Sequence, residues 1–465
     1  MNQTEVSEFL FCIYNQIMNF MLRNVRHAFS SAPPNIFVQD GFLRYASHPQ
    51  LNFFEIDASG LTLLPGLMDV HVHLRTPGDT HKEDWTTGTQ AAAAGGVTMI
   101  LDMPNNQPPV TTREILREKR ELIQGTSYVN YCFYMGATFD AATGHSNIEE
   151  YLSSDALALK VYMGSSTGSL LVDREEPLEE IFRKAGEADR LVCVHAEDEK
   201  IMREHQKRFE RELDPSPSIH SQIRDPEAAR RAVEQALHWA EQYNTRLHIC
   251  HVSTRAELEL IARFKTERIS CEVSPHHLFL TQDELDRQGN FAKMNPPLRT
   301  AEDNVALIEG IRSGLIDMVA TDHAPHTLQE KQQNYWKAPA GVPGLETLLP
   351  LLLNAVHEGK LTLQDVVRVT SEGPARVFRL KDETGRLLGS VEEGTMANFV
   401  LVDLEKTQVV ERGGFGARFT KCGWSVFEGR SLTGWPVLTV VNGEIVYRDE
   451  KICGIPQGKE VKRKR

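Results

Sequence analysis

The chain has 465 residues, of which 41% are hydrophobic and 25% are charged. These ordinary globular values exclude a disordered chain, a collagen-like chain and a coiled coil. The formal net charge of −13 argues against a nucleic-acid-binding protein, which needs a basic surface. No segment has the roughly 18 consecutive apolar residues of a membrane-spanning helix. Because the seven cysteines also show no C-x-x-C pairing, we expect a cytoplasmic protein with reduced cysteines.

The N-terminal part of the chain precedes the region where strands and helices alternate. Residues 1–17 come before the first strand-like stretch, and we expect them to be an extension outside the fold. Residues 18–64 have the pattern of short strands separated by turns. Because this segment is too small to fold alone, it needs a partner elsewhere in the chain.

The central part, residues 65–387, alternates short apolar runs with helical segments. Near-continuous apolar runs are typical of strands buried on both faces, as in a parallel sheet. Eight such runs favour a closed (β/α)8 barrel of the TIM type over an open sheet. The predicted strands are 67–74, 97–103, 128–136, 156–164, 191–197, 247–253, 269–274 and 315–323.

Four segments are predicted to be helical, among them 253–265 between two barrel strands. The segment 225–242 begins with Asp225 as N-cap and Pro226 at the first helical position. The segments 344–358 and 362–378 also have helical spacing and lie at the end of the barrel region.

Strand-like patterns return near the C-terminus. Residues 388–452 contain alternating strands with Asn442-Gly443 as a hairpin turn. We expect this segment to pair with residues 18–64 in one small β-sandwich side domain built from both chain ends. Residues 453–465 form a basic tail, which we expect to be solvated.

Several polar residues stand at the carboxyl ends of the predicted strands, where TIM-barrel active sites lie. His71 and His73 are two residues apart on one strand face, so both imidazoles can reach one divalent ion. Each residue alone has a structural explanation, such as a hydrogen-bonded core histidine. Together they indicate a metal site, because buried polar groups are costly unless they are paired or metal-bound. The candidates are His71, His73, Lys160, His195, His251 and Asp322.

Eight short motifs between residues 60 and 450 occur in a characteristic order. They are PGLMDVHVHLRTPG (65–78), DMPN (102–105), VHAEDE (194–199), HVST (251–254), PHHL (275–278), KMNPPLR (293–299), TDHAPH (321–326) and PGLET (343–347). Together they resemble the motifs of the cyclic amidohydrolases, and within that superfamily those of the dihydroorotase family. The resemblance covers nearly the whole chain apart from its N-terminus.

The resemblance implies two Zn²⁺ per chain in the barrel mouth. One ion would take His71, His73 and Asp322, and the other would take His195 and His251. Lys160, as its CO₂ adduct, would bridge the two ions.

The identity of the bridge is open at this point. Some enzymes of this type use an aspartate instead of a carboxylated lysine, and Asp173 is the nearest carboxylate downstream of Lys160. A free ammonium cannot stand between two cations, so Lys160 either carries the carbamate or does not bridge. We favour the carbamate.

The implied reaction is the reversible hydrolysis of the cyclic amide of (S)-dihydroorotate to N-carbamoyl-L-aspartate, a step of de novo pyrimidine biosynthesis. Asp322 would be the catalytic residue that accepts a proton from water and passes it to the leaving nitrogen. Arg75, two residues after His73, would clamp the carboxylate of an anionic substrate. By resemblance the remaining substrate-binding residues are Asn105, Asn295, His326, Ala340 and Gly341.

Two alternatives come from other classes. Another cyclic amidohydrolase, such as an allantoinase or a dihydropyrimidinase/hydantoinase, takes a neutral ring that would leave Arg75 unpaired. A non-enzymatic scaffold would have lost ligands, whereas every expected ligand is present here. The sequence leaves the oligomeric state open, a homodimer included.

Overall fold

The computed structural model describes most of the chain. The described residues are 19–29, 35–45, 54–140, 142–166, 168 and 170–463. The extension predicted at residues 1–17 lies outside them.

Six short strands precede the barrel. They are β1 (Phe20–Arg23), β2 (Arg26–His27), β3 (Ile36–Gln39), β4 (Phe42–Tyr45), β5 (Phe54–Asp57) and β6 (Thr62–Pro65). Four of them form one sheet in the order β4-β3-β1-β5, in which β1 runs antiparallel to β3 and parallel to β5.

Eight parallel strands form the barrel, as the sequence predicts. The strands of this region are β7 (Leu67–Val72), β8 (Val97–Asp102), β9 (Asn130–Gly136), the hairpin β10 (Phe139–Asp140) and β11 (His145–Ser146), β12 (Ala158–Tyr162), β13 (Leu191–His195), β14 (Arg246–Ile249), β15 (Ile269–Val273) and β16 (Met318–Val319). All except β10 and β11 pair in the order β7-β8-β9-β12-β13-β14-β15-β16. The circle closes where Val72 bridges His323 and the His73 N–H donates to the His323 carbonyl at 2.8 Å.

Helices cover the outside of the barrel. They are α1 (Trp85–Ala94), α2 (Arg113–Ile123), α3 (Ile148–Leu152), α4 (Glu175–Glu187), α5 (Glu199–Gln206), α6 (His220–Ile223), α7 (Pro226–Gln242), α8 (Arg255–Phe264), α9 (Pro275–Phe279), α10 (Asp283–Gln288), α11 (Ala301–Arg312), α12 (Leu328–Lys331), α13 (Leu348–His357), α14 (Leu363–Val367) and α15 (Gly373–Phe378). Short 3₁₀ turns occur at Pro217–Ile219 and Gly289–Ala292.

The three helices predicted in detail are present with one interruption. The Asp225 side chain caps α7 by accepting from the Ala228 N–H, and Pro226 is its first residue. Helix α13 begins at Leu348, four residues later than predicted. The single helix predicted over 362–378 is divided into α14 and α15 by a π-helical turn at Arg368–Glu372.

A second sheet joins the two ends of the chain. The C-terminal strands are β17 (Phe399–Val409), β18 (Ser431–Val441), β19 (Glu444–Arg448) and β20 (Lys451–Ile452). The sheet order is β2-β6-β17-β18-β19-β20, and the Asn442-Gly443 turn with φ of 54° and 87° connects β18 to β19. Leu22 and Val38 of the first sheet share a buried cluster with Phe399 of the second. This packing confirms the predicted sandwich built from both chain ends.

Part of the basic C-terminal tail pairs with the barrel instead of extending into solvent. The Tyr131 N–H donates to the Lys459 carbonyl at 3.0 Å, and the Val461 N–H donates to the Tyr131 carbonyl at 2.9 Å. The carboxylate of Glu460 lies 2.7 Å from Arg120 on α2. The tail therefore lies against the amino-terminal end of β9.

A buried ion pair supports the segment that follows β7. The ammonium of Lys119 donates to the carboxylate of Asp102, and both side chains are buried. The other carboxylate oxygen of Asp102 accepts the Leu74 N–H at 2.8 Å. The pair thus fixes the backbone between His73 and Arg75.

We predict that Lys119→Met lowers the free energy of unfolding by about 3–5 kcal/mol, because it leaves the Asp102 carboxylate buried without its counter-ion. Urea unfolding followed by circular dichroism measures the change. The matched control is Lys184→Met, since Lys184 lies near the surface beside Glu149 and should cost less than about 1 kcal/mol. Equal losses in the two variants would contradict the role given to the buried pair.

Candidate active site

The predicted site residues meet in one cleft at the carboxyl ends of the barrel strands. Its lining includes His71, His73, Arg75, Asn105, Lys160, His195, His251, Asn295, Asp322, Ala340 and Gly341. His326 lies behind Arg75, with its Nε2 3.3 Å from Arg75 Nη2. Three further residues that line the cleft were not predicted, namely Tyr162, Ser166 and Ala324.

Two histidines and an aspartate form one half of the polar cluster. Asp322 Oδ1 lies 3.0 Å from His73 Nε2 and 3.3 Å from His71 Nε2. Burial alone would raise the pKa of Asp322, but the imidazoles of His71 and His73 outweigh it and hold the pKa well below its usual range. Asp322 is therefore a carboxylate at neutral pH.

His195 and His251 form the other half. His195 Nδ1 lies 3.0 Å from His251 Nε2, and potential ligand atoms of His71, His251 and Asp322 lie within 4.8 Å of one another. Burial lowers the pKa of both His195 and His251, so both rings are neutral near pH 7, as metal ligands must be. Among the described residues, His251 Nδ1 has no hydrogen-bond partner.

Two buried glutamates orient His71 and His195. Glu272 Oε1 accepts from His71 Nδ1 at 2.5 Å, and Glu272 Oε2 accepts from His248 Nε2 at 2.9 Å. Glu197 Oε2 lies 2.9 Å from His195 Nε2. Carboxylates placed in this way fix the ring orientation and tautomer of histidine ligands. Neither glutamate is among the residues predicted from the sequence, although a charged residue within the apolar run ISCEVS marks Glu272.

Lys160 is fully buried and lines the cleft. Its Nζ donates to Cys250 Sγ at 3.0 Å, and it forms no ion pair in the described part of the chain. Asp173, by contrast, is exposed, lies 3.8 Å from Arg203 and does not line the cleft. Lys160 therefore lines the cleft, and Asp173 does not.

Three site residues adopt left-handed backbone conformations. Arg75, His251 and Asp322 have φ of 57°, 36° and 47°. Such conformations cost free energy in residues other than glycine and are concentrated at functional sites. The strand predicted over 67–74 is two residues shorter at its carboxyl end in the structure. Strand β7 ends at Val72, so the turn of the backbone after the strand directs the Arg75 side chain.

Arg75 is buried at the rim of the cluster. Its Nε donates to the Pro325 carbonyl at 3.3 Å, and its Nη2 lies 3.3 Å from His326 Nε2. Within the described residues no carboxylate lies within ion-pair distance of its guanidinium. The guanidinium therefore faces the cleft with its charge uncompensated by a direct partner.

The remaining predicted substrate residues have neighbours within the protein. Asn105 Oδ1 accepts from His73 Nδ1 at 2.6 Å, and Asn295 Oδ1 accepts from His220 Nε2 at 3.0 Å. Gly341 has a φ of 135°, and a Cβ there would lie 2.6 Å from the Ala324 carbonyl oxygen. Only glycine allows the backbone to approach the cleft so closely.

Comparison with known proteins agrees with this geometry. The profile of the amidohydrolase family matches residues 62–446. The chain belongs to the amidohydrolase family. A dihydroorotase of Methanosarcina mazei is 39% identical over 413 residues, which cover 86% of this chain and 87% of that protein. A dihydroorotase of Methanosphaera stadtmanae is 35% identical over 393 residues, which cover 84% of this chain and 86% of that protein.

Solved structures show the same fold. The L-hydantoinase (dihydropyrimidinase) from Arthrobacter aurescens superimposes with a TM-score of 0.87 at 29% identity, covering 96% of this chain and 100% of that chain. Likeness of fold therefore includes the predicted alternative, whereas the sequence relatives given above carry the dihydroorotase name. Across the described ranges, no helix combines the length and apolar character needed to cross a membrane.

We predict that Glu272→Gln weakens metal binding by roughly 10–100-fold, because the neutral amide no longer polarises and orients the His71 ring. Competition with a chromogenic chelator measures the affinity, and circular dichroism shows that the variant is folded. Glu309→Gln is the matched control, since Glu309 pairs with Arg312 on the exposed face of α11. Unchanged affinity in a folded Glu272→Gln protein would contradict this role.

Proposed function

We propose that the chain catalyses the reversible hydrolysis of (S)-dihydroorotate to N-carbamoyl-L-aspartate in pyrimidine biosynthesis. It is a hydrolase of cyclic amides, and its sequence relatives carry the dihydroorotase name. The observation that carries the choice of substrate is Arg75, a buried guanidinium without a direct ion-pair partner beside the histidine cluster.

The carboxylate of dihydroorotate supplies the partner that Arg75 lacks. A guanidinium binds a carboxylate through two parallel hydrogen bonds, which adds geometric selectivity to the charge attraction. A neutral ring such as hydantoin or dihydrouracil would leave the guanidinium buried and uncompensated, which is costly. The anionic substrate is therefore favoured over the neutral rings of the hydantoinase alternative. The fold alone cannot separate the two activities, because a hydantoinase shares it.

The donor set fits a metal centre. Four histidines and one carboxylate converge on the cleft, and ligand atoms of His71, His251 and Asp322 lie within 4.8 Å of one another. In our proposal His71, His73 and Asp322 hold one Zn²⁺, and His195 and His251 hold the second. When bound, such ions polarise an amide carbonyl and make water more acidic.

Lys160 would hold the two ions together as a carbamate. Carboxylation replaces a buried ammonium, which has no ion pair in the described structure, by an anion that two cations can share. Reaction of the lysine amine with CO₂ forms an N–C bond and releases one proton.

Proton transfer falls to Asp322. Its low pKa makes it a carboxylate that can accept a proton from the attacking water and return it to the departing ring nitrogen. Its contact with His73 at 3.0 Å fixes the direction of the accepting oxygen. Asn295 and the backbone of Ala340 and Gly341 line the same cleft, and in this proposal they orient the ring amide.

Lys160→Ala should reduce the metal content from about two ions per chain to one or fewer, because the bridging anion is lost. Mass spectrometry of the purified protein counts the ions. Acetate or another small carboxylic acid should restore part of the content by bridging in its place. Lys184→Ala is the control on the surface of α4. If Lys160→Ala retains both ions without added acid, the carbamate bridge is wrong.

Arg75→Met should lower kcat/KM for dihydroorotate by roughly 30- to 4,000-fold, since loss of one member of a desolvated charge pair costs about 2–5 kcal/mol. Steady-state assays in both directions measure the change. The metal content should stay unchanged, and any weak activity toward neutral rings should be equal or higher.

The control for this test is Arg312→Met, an exposed arginine on α11 paired with Glu309. It should leave turnover unchanged. If the wild-type chain prefers hydantoin or dihydrouracil, or if Arg75→Met turns over dihydroorotate normally, the dihydroorotase assignment is overturned. The broader membership among cyclic amide hydrolases would stand.

A further inference from the structure

A second large cavity lies at the opposite end of the barrel from the active-site cleft. It has a volume of about 370 Å³. Its lining includes Arg190, which directly precedes β13, and Arg246, the first residue of β14. Because the active-site cleft lies at the carboxyl ends of the parallel strands, this cavity opens at their amino ends.

The C-terminal tail forms one wall of this cavity. Lys462 and Arg463 line it, and the pairing of the tail with Tyr131 holds them there. The Cys132 thiol also donates to the Val461 carbonyl at 2.8 Å. The basic tail plays no part in the proposed reaction, and it forms part of the wall of this cavity.

The lining carries a large excess of positive charge. Seven of its residues are lysine or arginine, and one is acidic. That acid, Asp189, already pairs with Arg268 at 2.9 Å and with Arg379 at 2.8 Å. Two further cations pair with carboxylates outside the lining, Arg376 with Asp317 at 3.1 Å and Lys462 with Glu460 at 3.7 Å. Among the described residues this leaves Arg190, Arg246, Lys381 and Arg463 without a carboxylate partner.

Arg190 is the most informative of these cations because only 4% of it is exposed. Its guanidinium lies 4.0 Å from the Tyr151 ring centroid and donates to the carbonyls of Leu152, Ser154 and Ala156 at 3.2, 3.3 and 2.8 Å. Its Nε has no hydrogen-bond partner among the described residues, and it forms no ion pair with them. A buried guanidinium donor without an acceptor is costly, and a bound anion would relieve that cost.

Arg246 gives a second, independent sign of missing negative charge. It donates to the Val377 carbonyl at 2.5 Å and has no carboxylate partner in the part of the chain that is described. Burial lowers the pKa of Arg246, and the positive charge of Arg379 lowers it further. An anion in the cavity would oppose both effects.

The floor of the cavity is apolar. It includes Leu157, Leu191, Phe378 and Leu380. Guanidinium groups suit phosphate oxygens through paired hydrogen bonds, and apolar side chains suit a ring or an aliphatic group. Concave sites of this size usually bind small molecules, whereas nucleic acids and membranes need a broad basic surface.

We propose that this cavity is a binding site for a phosphorylated small molecule with an aromatic or apolar portion, of about nucleotide size. The phosphates contact Arg190, Arg246 and Arg463, and the apolar portion lies on Phe378. This site is separate from the active-site cleft and does not depend on the reaction assigned to it.

Isothermal titration calorimetry of the full-length, metal-loaded chain in magnesium-free buffer tests the proposal with three probes: tripolyphosphate, adenosine triphosphate and adenosine. We expect one saturable site per chain for the two phosphates and tighter binding of the nucleotide, because only the nucleotide uses the apolar floor. Adenosine alone should not bind measurably.

The variant Arg246→Gln/Arg463→Gln should weaken binding of both phosphates by at least roughly tenfold, the effect of losing a charge-assisted hydrogen bond. The single variant Arg463→Gln changes an exposed side chain, so it should fold normally and weaken binding in the same direction. The matched control, Arg117→Gln/Arg312→Gln, removes the same charge from two exposed ion pairs and should bind like the wild type.

Several results would overturn the proposal. They are the absence of saturable binding below about millimolar concentration, equal weakening in the control, and nucleotide binding no tighter than that of tripolyphosphate. Tighter binding of single-stranded RNA or of anionic lipid vesicles that depends on the same arginines would also overturn it, because the cavity would then serve a macromolecule or a membrane.

Discussion

A single buried carboxylate, that of Glu272, sets the positions of three neighbours in the candidate site. It bonds to the ring of His71 on β7 and to the ring of His248 on β14, and it also accepts the backbone N–H of His251 at 3.3 Å. Because a buried charge is tolerated only when its partners satisfy it, each of these bonds constrains the others. The carboxylate thus ties three strands together beneath the cleft.

That constraint also supports the strained backbone of the site. A left-handed conformation in a residue other than glycine costs of order 1–3 kcal/mol and persists only where its surroundings fix it. For His251 the bond from its backbone N–H to Glu272 supplies part of that support. For Asp322 the contacts with His71 and His73 do so. The polar cluster therefore holds its own backbone in the conformation that lets its side chains converge.

Periodicity and the cost of burying polar groups made the barrel strands and the six candidate ligands predictable. Other features depend on contacts that periodicity cannot reveal. Glu272 meets His71 across 201 positions of sequence. The direction of Arg75 depends on where β7 ends. The strand ends at Val72, whereas the apolar pattern continues to residue 74. The docking of residues 458–461 rests mainly on backbone hydrogen bonds, which leave no side-chain pattern to read.

The way the barrel closes has a thermodynamic consequence. In the described structure its first and last strands, β7 and β16, share no ladder, and the isolated bridge at Val72 and His323 joins the segments that follow them. His71 and His73 stand on one side of this seam and Asp322 on the other. A cation held by all three would cross-link this seam, and it would bind the closed form in preference to an open one. Folding and ion capture would then be linked by mass action, so the concentration of free ion would set how often the seam opens.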